Sequence, residues 1–263
     1  MKICCLVKEV PDAAVQKRID PNTMRLDRSG EKNLNPFDTH GIEAAMQIRE
    51  GGAVEVDEIV AVTMGPSSAQ RALQKAVALG ADRSVHLSDD ALAGSDVCAT
   101  GYALAKVLER ESPDLVLLGQ QSDDGECYTI GAVVADHLRM PSLTQVIKID
   151  VADGALTCER QAEYGYDTVE VALPAVISVG DAINEPRYPS LKAIMGAKKK
   201  PLAAVTASDV AIDSSLVGEE GSRVQCGEFH DPPAKAAGQI IEDEDTNETV
   251  EKIVAWLDER KLI

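Results

Sequence analysis

A glycine straight after an apolar run, then a polar loop, then a helical stretch, is a place where a chain can hold phosphate. One segment has this form: Gly119-Gln120-Gln121-Ser122-Asp123-Asp124-Gly125-Glu126-Cys127-Tyr128-Thr129-Ile130-Gly131. Backbone N–H groups at a strand-to-helix turn point toward an anion, and the helix dipole favours one there. Gly119 and Gly125 permit close backbone approach. Asp123, Asp124 and Glu126 can meet ribose hydroxyls but repel a bare polyphosphate. That combination favours a ligand with few phosphates and a recognised nucleoside. A surface loop built of turn residues is the plainer reading of the same stretch. Val7-Lys8 and Met64-Gly65-Pro66 also follow apolar runs, and open parallel sheets take ligands beyond their carboxyl strand ends.

Other chemistry has little support. There is no P-loop, no G-x-G-x-x-G and no G-x-S-x-G. His40, His86, His137 and His230 are far apart, and none has a neighbour at metal-ligand spacing. Ser67 and Ser68 read as helix caps rather than nucleophiles. Cys4, Cys5, Cys98, Cys127, Cys158 and Cys226 form no C-x-x-C pair. They read as free thiols in a reducing compartment, not as a metal or disulfide framework.

The loops need elements to position them. Ile3 to Val7, Ile59 to Met64 and Leu115 to Leu118 are unbroken apolar runs, as expected of strands buried on both faces. Helical spacing lies between them. Ile42, Ala45 and Met46 precede the stop Gly51-Gly52. Leu73, Ala76 and Val77 precede Gly80. Ser67 to Gln70 reads as a capping box, Ser95 as a cap for a helix to about Glu109, and 130–138 as a further helix. After Pro141 the texture turns β-rich, with Asp153-Gly154 as a hairpin signal and 175–179 able to rejoin the main sheet. Residues 183–201 hold three prolines and five Lys or Arg, which reads as an arm or long loop. A last helix from about Asn247 to Leu262 places Val250, Ile253, Val254 and Leu257 on one face.

Composition narrows the function. The 263 residues carry 26 Lys and Arg against 44 Asp and Glu, for a net charge of −18. Aromatics are 3%, too few for a base-stacking surface, and phosphate-backbone binding needs clustered basic residues. Nucleic acid is therefore not an expected partner. No uncharged apolar run reaches membrane-spanning length, and the apolar start is too short for a signal peptide. A cytoplasmic protein that does not insert into membranes is expected. Residues 201–263 carry 14 acidic and 5 basic side chains, half of the net excess, with an acidic run at 242–245.

With these segments in view, the chain resembles the β subunit of electron transfer flavoprotein over nearly its whole length. The marks are VKEVPD at 7–12, NPFD at 35–38 followed by GIEAAMQIRE, Gly65-Pro66 and GADR at 80–83. The 119–131 loop, LPAVISV at 173–179 and INEPRYPSLKAIMGAKKK at 183–200 complete them. The order and spacing are specific, above all NEPRY-x-x-L before a lysine cluster.

The resemblance implies an α/β fold: a Rossmann-like adenine-nucleotide-binding parallel sheet with flanking helices, a β-hairpin region and an extended C-terminal arm ending in a helix. It divides into a nucleotide-binding domain at 1–182, a partner-recognition loop at 183–201 and an acidic arm with terminal helix at 202–263. It implies an αβ heterodimer, with FAD mainly in the α subunit and AMP as a structural ligand of β. The AMP segments correspond to Leu6, Asn35-Pro36-Phe37-Asp38, Met64 and Gly119 to Ile130. Ser122, Tyr128, Thr129 and Ile130 depart from a loop that is usually richer in acids and amides. Leu191 corresponds to an apolar anchor for partner dehydrogenases, of the acyl-CoA type or other flavin enzymes. A membrane quinone oxidoreductase is the implied acceptor.

Family members that bifurcate electrons hold a second FAD where AMP would sit. The tyrosine sometimes found near that flavin is Ala13 here, and Phe37 is the nearest aromatic. An ATP-binding α/β domain is the remaining alternative. The implied role is an electron carrier subunit, without catalytic residues of its own.

Overall fold

The computed structural model describes residues 1–263 except 153, 226, 230–232, 234–236 and 242–244. The acidic run at 242–245 therefore lies mostly outside the described residues, as do Asp153, Cys226 and His230. Two units are present, Met1–Gly227 and Glu228–Ile263.

In the first unit the chain begins with β1 (Lys2–Leu6). Four short strands follow, β2 (Glu9–Pro11), β3 (Ile19–Asp20), β4 (Arg25–Leu26) and β5 (Lys32–Leu34), with β2 pairing β5 and β3 pairing β4, both antiparallel. Then come α1 (Pro36–Gly51), β6 (Glu58–Met64), α2 (Gln70–Leu79), β7 (Arg83–Leu87), α3 (Val97–Glu111), β8 (Leu115–Gly119) and α4 (Ile130–Leu138). A meander of β9 (Ser142–Ala152), β10 (Ala155–Ala162) and β11 (Gly165–Ala172) precedes β12 (Ala175–Val179). The unit ends with α5 (Leu191–Ala197), β13 (Leu202–Val205) and the single turn α6 (Gly218–Gly221). The second unit holds α7 (Thr246–Glu259).

The main sheet has nine strands in the order β11-β10-β9-β12-β8-β1-β6-β7-β13. From β9 to β13 all neighbours are parallel; the β9–β10 and β10–β11 pairs are antiparallel. The unbroken apolar runs are the central strands. Alternate side chains feed two cores, as a sheet covered on both faces requires. Ile3, Cys5, Ile59 and Leu117 pack with Ile42 and Ala45 of α1 and Leu73 and Ala76 of α2. Cys4, Leu6, Val60 and Val116 pack with Leu104 and Leu108 of α3 and Val134 of α4. The chain thus leaves β1 for one face and β8, its neighbour, for the other. That divergence is a topological switch point, and in open α/β sheets it is the crevice beyond the carboxyl strand ends at such a point that takes ligands.

Local details differ from expectation at three places. Ser67–Ala69 is a 3-10 turn, and the Ser68 hydroxyl donates to Glu9 instead of capping α2. The cap of α3 is Asp96, whose carboxylate accepts from the Ala99 N–H. Ser95 beside it donates to the Leu92 carbonyl. The arm at 183–201 contains α5, seven residues long, started by the Ser190 hydroxyl accepting from Ala193 N–H.

Candidate functional site

Leu6, Met64 and Gly119 close three adjacent parallel strands, so the sheet register brings their segments together at one edge. The Leu6 side chain is buried in the α3/α4 core, which leaves its backbone to the crevice. Met64 is half-buried. After it, Gly65 is fixed through its N–H to the Leu87 carbonyl and through its own carbonyl to Nε2 of buried His86, 2.9 Å away. The first turn of α1 crosses the end of β8. A Cβ on Gly119 would lie 2.5 Å from the Phe37 carbonyl carbon, so only glycine admits this approach.

Two buried side chains of the NPFD segment tie these parts into one body. Asn35 donates from Nδ2 to the Gln121 carbonyl (2.8 Å) and accepts at Oδ1 from the Asp123 N–H (3.1 Å); its own N–H donates to the Lys8 carbonyl (2.9 Å). Asp38 accepts from the Lys8 N–H at 2.8 Å, and the Gly119 N–H and Asn35 amide also face it. Burial pushes the Asp38 carboxyl up to about 7, against the pull of those donors. Pro36 opens α1 at a position where a missing N–H costs nothing. Asn35 and Asp38 therefore act here as joints between strand ends.

Two of the loop's three acids, Asp123 and Asp124, are held by cations. Lys8 Nζ reaches Asp124 Oδ1 (2.6 Å) and Ser122 Oγ (3.1 Å), and Arg28 donates from two nitrogens to Asp124 Oδ2 (2.9 and 2.7 Å). Lys17 Nζ reaches the Asp123 carboxylate (2.7 Å) and its carbonyl (2.6 Å). The Asp124 side chain is 0% exposed, while those of Lys8 and Arg28 are 43% and 42% exposed. Burial raises the Asp124 carboxyl, and the two cations outweigh it, so the group stays below its ordinary value. The expected ribose contacts of Asp123 and Asp124 compete with these pairs. Lys17 and Arg28 were not singled out by the sequence. They stand in a polar stretch with no periodicity, bounded by strands of two or three residues, and no local signal marks them.

Gly125 to Thr129 form the exposed rim of the loop, and Ile130 is half-buried. Glu126 and Tyr128 adopt the left-handed backbone region, with φ 47° and 56°. Thr129 leads into α4 without a side-chain cap. An anion at that first helical turn would meet N–H groups that no side chain covers. Gln120 is anchored through its N–H to the Val179 carbonyl. Phe37 is half-buried, and Cys127 is exposed with a free thiol. Among the described residues, no three His, Cys, Asp or Glu side chains come together as a metal site.

Leu191 belongs to another part of the fold. It opens α5, which packs on α2 and exposes Leu191 (80%), Met195 and Ile194. The preceding Asn184–Tyr188 stretch is bolted to α1. Asn184 Nδ2 donates to the His40 carbonyl at 3.0 Å. Arg187 forks onto Glu43 (2.7 and 2.9 Å) and Glu50 (2.7 and 2.9 Å), with Glu43 buried. Tyr188, next in the chain, is 96% exposed.

A mostly parallel sheet covered by helices on both faces, with residues 35–38 and the 119–131 loop tied together at its switch point, defines a Rossmann-like α/β fold. A family model described as "Electron transfer flavoprotein domain" matches residues 23–210. The chain is 40% identical to an electron transfer flavoprotein subunit beta of Mycobacterium leprae and 39% to that of Mycobacterium tuberculosis, each over 267 residues covering 99% of both chains. It is 35% identical to the caffeyl-CoA reductase-Etf complex subunit CarD of Acetobacterium woodii, over 265 residues and all of both chains. The chain belongs to the electron transfer flavoprotein family, on its β-subunit side.

Proposed function

We propose that the chain is the β subunit of a cytoplasmic αβ electron carrier. Flavin dehydrogenases, of the acyl-CoA type or others, reduce FAD held mainly by the α subunit, and the pair passes the electrons to an acceptor such as a quinone oxidoreductase. FAD, when bound, supplies the redox chemistry; β residues shape its surroundings and make or break no bond. The observation that carries the reading is full-length similarity to β subunits in a chain whose switch-point crevice is built as one body by Asn35 and Asp38.

AMP is the ligand proposed for this crevice, and three features support it. Gly119 lets α1 close over a strand end, the first turn of α4 has no side-chain cap for its N–H groups, and Lys8, Lys17 and Arg28 line the approach. Asn35 to Asp38 hold its walls, Leu6 and Met64 close the neighbouring strands, and Gly119 to Ile130 form its rim. A second FAD in place of AMP is the alternative reading of the same site. Phe37 would then be the aromatic nearest that flavin. The ATP-binding alternative is disfavoured by acids at Asp123, Asp124 and Glu126.

The test is an inventory. The chain is co-expressed with its α subunit, the complex is denatured, and released FAD and AMP are quantified. One FAD and one AMP per pair support the carrier. Two FAD and no AMP move the protein to the bifurcating class. Neither ligand, with no α association, overturns the reading.

Leu191 is proposed as the apolar anchor for dehydrogenases. Burying one leucine is worth about 1.5–3 kcal/mol, or roughly ten- to a hundredfold in docking. Leu191→Ala is expected to lower electron transfer from the dehydrogenase by that order while flavin content stays constant. Unchanged transfer rates would remove the anchor role.

A further inference from the structure

We propose that Asp123 and Asp124 set how many phosphates the crevice accepts, by keeping Lys8, Lys17 and Arg28 engaged. This inference rests on the reading of the crevice as an adenine-nucleotide site.

The layering carries the argument. The acids lie beneath, Asp124 wholly buried and Asp123 26% exposed, and the three cations lie over them with 36–43% of their side chains exposed. Every cation is bonded to a carboxylate at 2.6–2.9 Å. Arg28 and Lys17 both come from the 12–31 stretch, and Lys8 directly follows β1. The pairing cross-links three separate chain segments at the mouth of the crevice. Asp124 takes two cations, one on each oxygen, so it is fully committed.

A cation already bound to a carboxylate attracts a phosphate far less than a free one, because the pair's field falls off as a dipole. With the acids in place, the mouth offers little net positive charge. A monophosphate can be met by backbone N–H groups at the start of α4. A triphosphate needs compensating cations for its further charges, and here they are taken. The acids therefore act against polyphosphates through the cations they hold, as selection by an unfavourable element. Neutralising one acid frees a cation, and the benefit grows with the charge of the ligand.

The experiment uses the αβ complex freed of bound nucleotide, with AMP, ADP and ATP as probes by calorimetry at several salt concentrations. Wild type is expected to bind AMP about tenfold or more tighter than ATP. Asp123→Asn, which releases Lys17 alone, is expected to tighten ATP by about tenfold and AMP by less, with a steeper salt dependence for ATP. Asp124→Asn removes the same single negative charge and is expected to act in the same direction and to a similar degree. Because Asp124 is buried, its variant is judged only if its melting temperature stays near that of wild type; Asp123→Asn decides otherwise. Wild type binding AMP, with an ATP-to-AMP ratio unchanged in the variants, overturns this inference alone. Wild type that binds no AMP overturns the nucleotide reading and this inference with it.

Discussion

Asp38 is a carboxyl with no cation in contact among the described residues, buried at the start of a helix and facing the N–H groups of Lys8 and Gly119. Burial holds it near 7, whereas an unfolded aspartate titrates near ~3.9. Between these values the folded chain binds more protons than the unfolded one, so stability falls as pH rises through the window. Below about 4 both states are protonated, and above about 7 both are ionised and the loss is complete. Asp38→Asn removes the titration and keeps the shape. The difference in urea midpoint, variant minus wild type, is therefore expected to grow from pH 4 to pH 7 and then level off. A difference that is constant across that range would mean the carboxyl is ionised in the fold throughout. Asp124 shows the opposite solution to the same problem: equally hidden, it is held ionised by Lys8 and Arg28.

The element scale brings in the clamp between α1 and the segment before α5. Arg187 satisfies both Glu43 and Glu50 with a planar fork, which lysine cannot copy. Arg187→Ala leaves Glu43 buried without its cation. Losing one partner of a buried pair costs about 3–5 kcal/mol; with the guanidinium half-exposed, about 2–3 kcal/mol is expected, read as a lower melting temperature. Electron transfer from dehydrogenases should fall as well, because α5 loses its fixed approach. Arg187→Lys should restore part of the stability and less of the transfer. Arg187→Ala with both properties intact would show that the clamp positions nothing. Much of this architecture was legible. Uninterrupted apolar runs announced the central strands, and alternation after Pro141 announced the meander. Less legible were features set by competition between neighbours. Ser95 and Asp96 are both good caps, and tertiary contacts chose Asp96. Three prolines and Gly196 masked α5. The site loop was visible from its glycine and its place after a strand. The cations that neutralise it come from 90 or more residues away in sequence, and only the fold brings them there.

The charge and the apolar surface of the whole molecule lead to its last unit. Half of the net charge of −18 lies in residues 201–263, yet α7 within that stretch carries an apolar stripe. Val250, Ile253 and Val254 are exposed, and no side chain of α7 is buried. Asp245 caps the helix by accepting from the Asn247 N–H, which fixes its start but supplies about 1 kcal/mol. A 14-residue helix is marginal in water on propensity alone, and most helical stability comes from packing an amphipathic face. The stripe therefore fits a helix completed by a partner, and the α subunit proposed above is the chain that must be present in any working carrier. Amide hydrogen exchange measures this directly. In the isolated chain, residues 246–259 are expected to exchange close to the unprotected rate while β1, β6 and β8 stay protected. In the αβ complex the same helix should gain protection of at least tenfold. Strong protection of α7 in the isolated chain would show that it finds its packing without α, and the stripe would then need another explanation.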